Sequence, residues 1–164
     1  MGTEKLKFKI QLYATMWDRP PHAEILINDE VHFKGDITGT EEKPDLIEFE
    51  HEFPEGDDYK LIIKRSGKVI EGVQPQTVVN HKGKVFLDQL LHIKGMEIDE
   101  IDIGSLVYEG VYFPKYEAKW ISQQRDAGID LPKSYKNVTN MGHDGEWKLT
   151  FSSPFYQWLL ENLY

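Results

Sequence analysis

The side chains best suited to chemistry in this sequence are its histidines and carboxylates, because the 164 residues include no cysteine. Disulfides, zinc–thiolate sites and cysteine nucleophiles are therefore excluded. No histidine lies within four residues of another, so the spacing offers no local metal-binding pair. Six separate histidines are the favoured interpretation, and a cluster formed only in the fold is the alternative. The histidines are His22, His32, His51, His81, His92 and His143.

The densest group of acidic residues outside the turns is Glu97, Asp99, Glu100 and Asp102. Side chains two apart on a strand face the same way, so neighbouring carboxylates here would repel one another. A bound Ca²⁺ would relieve that repulsion, which makes Glu97, Asp99 and Asp102 the candidate metal ligands and calcium the candidate cofactor. The alternative is an ordinary solvated strand face.

Catalytic motifs are missing from the sequence. It has no G-x-S-x-G, P-loop, G-x-G-x-x-G, H-E-x-x-H or EF-hand pattern. A glycoside hydrolase needs two convergent carboxylates, but 28 acidic residues single out no particular pair. We therefore predict a protein that is not an enzyme and has no catalytic residues, with a hydrolase of dispersed carboxylates as a distant alternative.

Four aromatic residues fall at positions where a ring could meet a ligand: Tyr13, Trp17, Trp120 and Tyr135. Rings in loops and irregular segments can stack on sugar faces or anchor a protein partner. For Trp17 and Trp120, burial in the core is an equally strong interpretation. We expect these four residues to form the ligand-binding surface.

Composition narrows the class of protein further. Hydrophobic residues make up 40% and charged residues 29%, which is typical of a globular chain, and the net charge of −9 disfavours nucleic acid as a partner. No apolar run approaches the roughly 18 residues of a membrane span, so membrane insertion is not expected. The N-terminus is polar and lacks the apolar stretch of a signal peptide, which predicts the cytoplasm of the producing cell or a virion.

Alternating polarity predicts the fold class. Apolar residues recur at every second position in 6–12, 47–53 and 147–151, and shorter strand-like runs are separated by turn residues. Seven or more such strands predict an all-β protein, an antiparallel β-sandwich or jelly roll. The segment 69–79 is interpreted as holding a short edge strand. The predicted core comprises Phe8, Ile10, Ile25, Ile27, Phe49, Leu61, Ile63, Ile98 and Ile101.

The regular pattern of polar and apolar residues changes after Gly104, which suggests a sandwich over 1–104 and a C-terminal extension over 105–164. Together they are expected to form one domain. The extension is expected to pack on the sandwich or to reach a partner chain. Residues 121–140 are interpreted as a long loop or arm that could include one helical turn. A final strand over 146–151 should lead into a short helix beginning near Ser153, capped by Ser152 or Ser153. Its apolar face is Phe155, Trp158, Leu159 and Leu163.

The order of features in 6–104 resembles the calcium-dependent carbohydrate-binding modules of the xylan-binding kind. The similar features are the opening strand, the proline-marked loop before 21–29, the acidic hairpin around Glu55-Gly56, and 88–93 leading into 98–103. The resemblance implies a sandwich that binds sugar and calcium. At the position of the family's calcium-binding Asn-Asp pair this sequence has Arg65-Ser66-Gly67-Lys68, so the solvated acidic strand stays open as the alternative. Residues 142–163 look like the tails of uncharacterised proteins from large tailed phages of marine bacteria.

These observations predict a non-catalytic binding or structural module, phage-encoded, with a sandwich of glycan-binding type. The alternative is a virion or assembly protein without sugar binding, in which 105–164 makes the contacts. The partners expected are glycans or other protein subunits, including copies of the same chain in a homo-oligomer.

Overall fold

The computed structural model describes residues 2–68, 78–79, 82, 85–116 and 118–162. They form a mostly antiparallel β structure with two large sheets and few helices, which confirms the all-β class. Of the edge strand predicted within 69–79, only Val78–Val79 lies among the described residues. The strands are β1 Thr3–Thr15, β2 His22–Ile27, β3 Glu30–Asp36, β4 Asp45–Pro54, β5 Gly56–Ser66, β6 Val78–Val79, β7 Val85–Leu87, β8 Leu90–Ile98, β9 Ile101–Asp102, β10 Val111–Pro114, β11 Tyr135–Lys136, β12 Asn140–Met141 and β13 Gly145–Ser153.

The first sheet is built around β1 and has the order β12-β8-β1-β4, with β9 paired to β8. The alternating sequence of β1 buries Leu6, Phe8, Ile10 and Leu12 while the residues between them stay partly exposed. This is the half-buried strand that the period of two predicts. Among the described residues, strand β4 pairs with β1 alone and forms the free edge of this sheet.

The second sheet has the order β11-β10-β13-β5-β2-β3. Strand β13, from the C-terminal segment, lies inside this sheet between β10 and β5, and β12 extends the first sheet. The strands of the predicted extension over 105–164 therefore take part in both large sheets. The physical reason is that β5 has backbone N–H and C=O groups on two sides, and β13 supplies the partners for one of them.

One hydrophobic core contains residues from both sheets. The rings of Phe8 and Phe53 in the first sheet lie 6.4 and 5.3 Å from that of Phe151 in the second. Seven of the nine predicted core residues are buried, namely Phe8, Ile10, Ile25, Ile27, Leu61, Ile63 and Ile98. The other two, Phe49 and Ile101, are only partly buried, because Phe49 lies on the edge strand β4 and Ile101 follows a tight turn.

A 3₁₀ helix at Gly104–Glu109 and two α-helices, α1 Ala118–Asp126 and α2 Phe155–Asn162, complete the described structure. Helix α1 corrects the prediction of a long loop over 121–140, since good helix formers dominate its sequence. The predicted path from a final strand into a helix near Ser153 is confirmed. The first N–H group of α2 donates to the Glu4 carboxylate at 2.8 Å, a long-range partner in place of the predicted serine cap. The predicted face residue Leu163 lies outside the described residues. None of the described helices is long and apolar enough to span a membrane.

Candidate functional site

Two of the predicted ligand-binding residues, Tyr13 and Trp17, come from β1 and the loop that follows it. The Tyr13 ring stacks on His92 of β8, with centroids 4.4 Å apart and planes 6° from parallel. Burial raises the pKa of Tyr13 and lowers that of His92, while the Glu41 carboxylate acts to raise both. Trp17 is half-buried in the loop. Neither ring is therefore a fully open face on which a sugar could stack.

The structure brings the other two predicted residues, Trp120 and Tyr135, together around His143. The rings of Trp120 and Tyr116 lie 5.8 and 5.0 Å from the imidazole. The hydroxyls of Tyr116 and Tyr135 are 3.0 Å apart, and Tyr116 also donates to the Pro132 carbonyl at 2.7 Å. We call this set the aromatic cluster; it comprises Tyr112, Tyr116, Trp120, Tyr135 and His143.

Burial shifts the pKa values of three members of the aromatic cluster, namely His143, Tyr112 and Tyr116. Burial lowers the pKa of His143, helped by the nearby cations Lys68 and Arg65 and opposed by Asp88 and Asp144. Burial raises the pKa of Tyr112 to about 12, and it also raises that of Tyr116. The Tyr112 hydroxyl donates to the His143 carbonyl and accepts the His143 N–H at 2.9 Å. The side chains of the cluster are thus joined to one another by ring contacts and hydrogen bonds.

A buried charged network holds the backbone of His143 in place. The Arg65 side chain is fully buried and donates to the Asp144 carboxylate at 2.6 Å and to the Gln89 carbonyl at 2.5 Å. Lys68 pairs with Asp88 at 2.8 Å, and its backbone N–H donates to Asp144 at 3.1 Å. Burial lowers the pKa of both cations, and the two carboxylates act against that shift. Each of the two buried cations is thus paired with a carboxylate.

A groove with a volume of about 390 Å³ lies beside the aromatic cluster. Tyr116 forms part of its wall, and α1 together with the segment 129–133 forms the rest. Helix α1 has no buried residue. Two aliphatic residues of the wall, Ile121 and Ile129, are 42% and 52% exposed. Exposed aliphatic side chains gathered along a groove typically mark an interaction site.

The predicted calcium ligands lie on the hairpin of β8 and β9. Asp99 and Glu100 form its turn with φ angles of 54° and 68°, and Glu97 and Asp102 are opposite each other in the ladder. Asp102 accepts a hydrogen bond from the Gly104 N–H at 2.8 Å. The three predicted ligands are not among the described side chains whose ligand atoms lie within 4.8 Å of one another. Within the described part of the chain, the metal-ligating side chains that do converge are Glu30, His32 and His51.

Sequence reasoning missed Tyr116 and His143 as members of the cluster, because 19 residues separate Tyr116 from Tyr135 and no periodic pattern links them. A signal was available for the buried cation. Arg65 continues the inward row of Leu61 and Ile63 on β5, so the period of two already placed it in the core.

Comparison of the chain with protein-family models, with curated proteins and with solved structures found no match.

Proposed function

We propose that this chain is a non-catalytic binding module with a β-sandwich fold, and that its groove beside α1 takes an apolar segment of a partner polypeptide. The observation that carries the proposal is the groove itself, lined by the exposed side chains of Ile121, on a helix with no buried residue, and of Ile129, just after that helix. A helix of nine residues is too short to be stable in water by itself and is normally held by packing of an apolar face. A bound polypeptide would provide that packing.

The nature of the wall favours a polypeptide over a sugar. Sugar platforms use the open faces of aromatic rings, whereas Trp17 and Trp120 are both half-buried. The groove offers Ile121, Ile129 and Leu131 instead, which suit the apolar side chains of a protein ligand.

Charge at the groove narrows the ligand further. Arg125 and Lys133 line it together with a single carboxylate, Asp130, in a chain whose net charge is −9. This local excess of positive charge favours a segment that carries acidic side chains beside its apolar ones.

The proposal is tested by selecting binders from a displayed random-peptide library on the full chain, in parallel with a glycan array. We expect peptides that combine apolar and acidic residues, and we expect the double variant Ile121→Gln, Ile129→Ser to bind them at least ten-fold more weakly. Leu160→Ser is the matched control, because Leu160 is a 62% exposed aliphatic residue on the other helix. Peptides that bind the double variant as well as the unsubstituted chain would place the interaction elsewhere. Glycan binding without peptide binding would overturn the polypeptide assignment.

A further inference from the structure

The free edges of the two large sheets approach each other through three metal-ligating side chains. Glu30 and His32 are two residues apart on β3, so they lie on the same face of that strand. His51 lies on β4. Strand β3 ends the second sheet and β4 ends the first, so the group spans the opening between them.

Three ligand atoms, one from each residue, converge on one point. His32 Nε2 and His51 Nδ1 are 2.9 Å apart, and Glu30 Oε2 lies 3.2 Å from the first and 2.9 Å from the second. Zinc bonds of 2.0–2.2 Å in tetrahedral geometry place ligand atoms roughly 3.3 Å apart. The triangle therefore has to open by only a few tenths of an ångström to hold an ion above its centre.

Hydrogen bonds alone cannot satisfy this triangle. Each of its three edges needs one proton, and an ionised carboxylate supplies none. If both ring nitrogens carry a proton toward Glu30, those two protons oppose each other across the His32–His51 edge. If only one ring nitrogen carries a proton, that proton must serve two of the three contacts, and the third contact has none. A cation at the centre satisfies all three lone pairs at once.

Aromatic neighbours hold both imidazoles in place. The His32 ring stacks on Phe49 at 4.5 Å with planes 12° apart, and Phe49 in turn stacks on Phe8 of the core. The His51 ring lies 4.6 Å from that of Phe53. The histidine side chains are only 15% and 19% exposed, whereas that of Glu30 is 63% exposed. The ligands are thus fixed from the core side, and the outward side is open to solvent.

We propose that Glu30, His32 and His51 form a binding site for a first-row divalent transition metal of the Zn²⁺ class, which ties the free edges of the two sheets together. Two imidazoles and a carboxylate suit zinc and its neighbours, whereas Ca²⁺ and Mg²⁺ prefer sites made of oxygen. Three protein ligands leave one coordination position for water or for a group on a partner. The site is separate from the groove beside α1 and does not depend on the function proposed for that groove.

The test is a calorimetric titration of ZnCl₂ into tag-free full-length protein that has first been treated with a chelator. We expect one equivalent to bind, and Co²⁺ in its place to give the visible absorption of a low-coordinate nitrogen–oxygen site. Glu30→Gln should weaken Zn²⁺ binding at least ten-fold, and because Glu30 is exposed this variant should keep the fold. His51→Gln should do the same, with circular dichroism reporting whether it folds.

The matched control is His22→Gln, which removes a histidine from the neighbouring strand β2, where it pairs with Asp36 at 3.2 Å. It should bind Zn²⁺ like the unsubstituted chain. Equal Zn²⁺ binding by the unsubstituted chain and folded Glu30→Gln would overturn the proposal, and so would the absence of binding by the unsubstituted chain. Stabilisation by Ca²⁺ that is lost in Glu30→Gln would overturn the assignment to transition metals.

Discussion

Helices α1 and α2 have nearly the same length, nine and eight residues, but they relate to the rest of the molecule in opposite ways. Helix α2 buries Phe155 and Leu159, and the Phe155 ring lies 6.1 Å from that of Phe151 in the core. Helix α1 has no fully buried residue, and its Trp120 is half-buried with its ring 5.8 Å from that of His143. Helix α2 is therefore anchored in the core, whereas α1 is attached through a half-buried tryptophan and leaves Ile121 exposed.

This difference bears on the two alternatives that the sequence leaves open for the C-terminal helix. The apolar face of the C-terminal helix was expected to need cover, either from its own sheets or from a partner chain. The structure covers that face with β13 and the core. Exposed aliphatic residues that line a groove lie on and just after α1, so the contact with a partner is best sought there.

The largest expected effect on stability comes from Phe155, the residue that anchors α2 in the core. Phe155 is completely buried, so Phe155→Ala should lower the free energy of unfolding by about 3–5 kcal/mol. Chemical denaturation followed by tryptophan fluorescence measures the change. Leu160→Ala, on the exposed side of the same helix, should change it by less than about 0.5 kcal/mol. Equal midpoints for the two variants would mean that α2 is not anchored in the core.

A smaller effect should come from the start of α2. The Glu4 carboxylate on β1 accepts the N–H of Phe155, which satisfies one of the unpaired donors at the beginning of the helix. Its negative charge also favours that end of the helix dipole. Glu4→Ala should therefore cost about 1 kcal/mol, as the loss of a helix cap does.

The control for this substitution is Glu48→Ala, which removes an exposed carboxylate from β4. Thermal and chemical denaturation of both variants decides the point. Glu4→Ala with the stability of Glu48→Ala would show that the contact between the first strand and the last helix contributes nothing.

How far the sequence predicts each region follows from the kind of pattern it carries. The alternating apolar rows of β1 and β5, and the strand that leads into α2, repeat over short distances, and periodicity reveals them. The pairing of β13 with β5 and the cap from Glu4 join residues far apart in the chain, and no local pattern encodes them.

The two candidate sites show the same limit. His51 belongs to the inward row of Ile47, Phe49 and Phe53, which marked it as a polar residue facing the core. Its convergence with Glu30 and His32 depends on how the edges of two sheets meet, and spacing along the chain gives no hint of that. The aromatic cluster likewise assembles from four separate segments around His143.

The smallest expected effect on the free energy of unfolding comes from a substitution on α1, and it distinguishes this helix from α2. Ile121 is 42% exposed on a helix that has no fully buried residue, so its removal takes little apolar surface out of the core. Ile121→Gln replaces it with a residue of similar helix propensity, and the free energy of unfolding should change by less than about 0.5 kcal/mol. Chemical denaturation should therefore superimpose on that of the unsubstituted chain, while hydrogen exchange at α1 stays fast in both proteins because few buried contacts protect it. A loss above about 1 kcal/mol would mean that the Ile121 side chain supports the fold. The groove would then be part of the packing that stabilises the fold, and the proposed contrast between α2 as an anchored helix and α1 as a binding helix would be wrong.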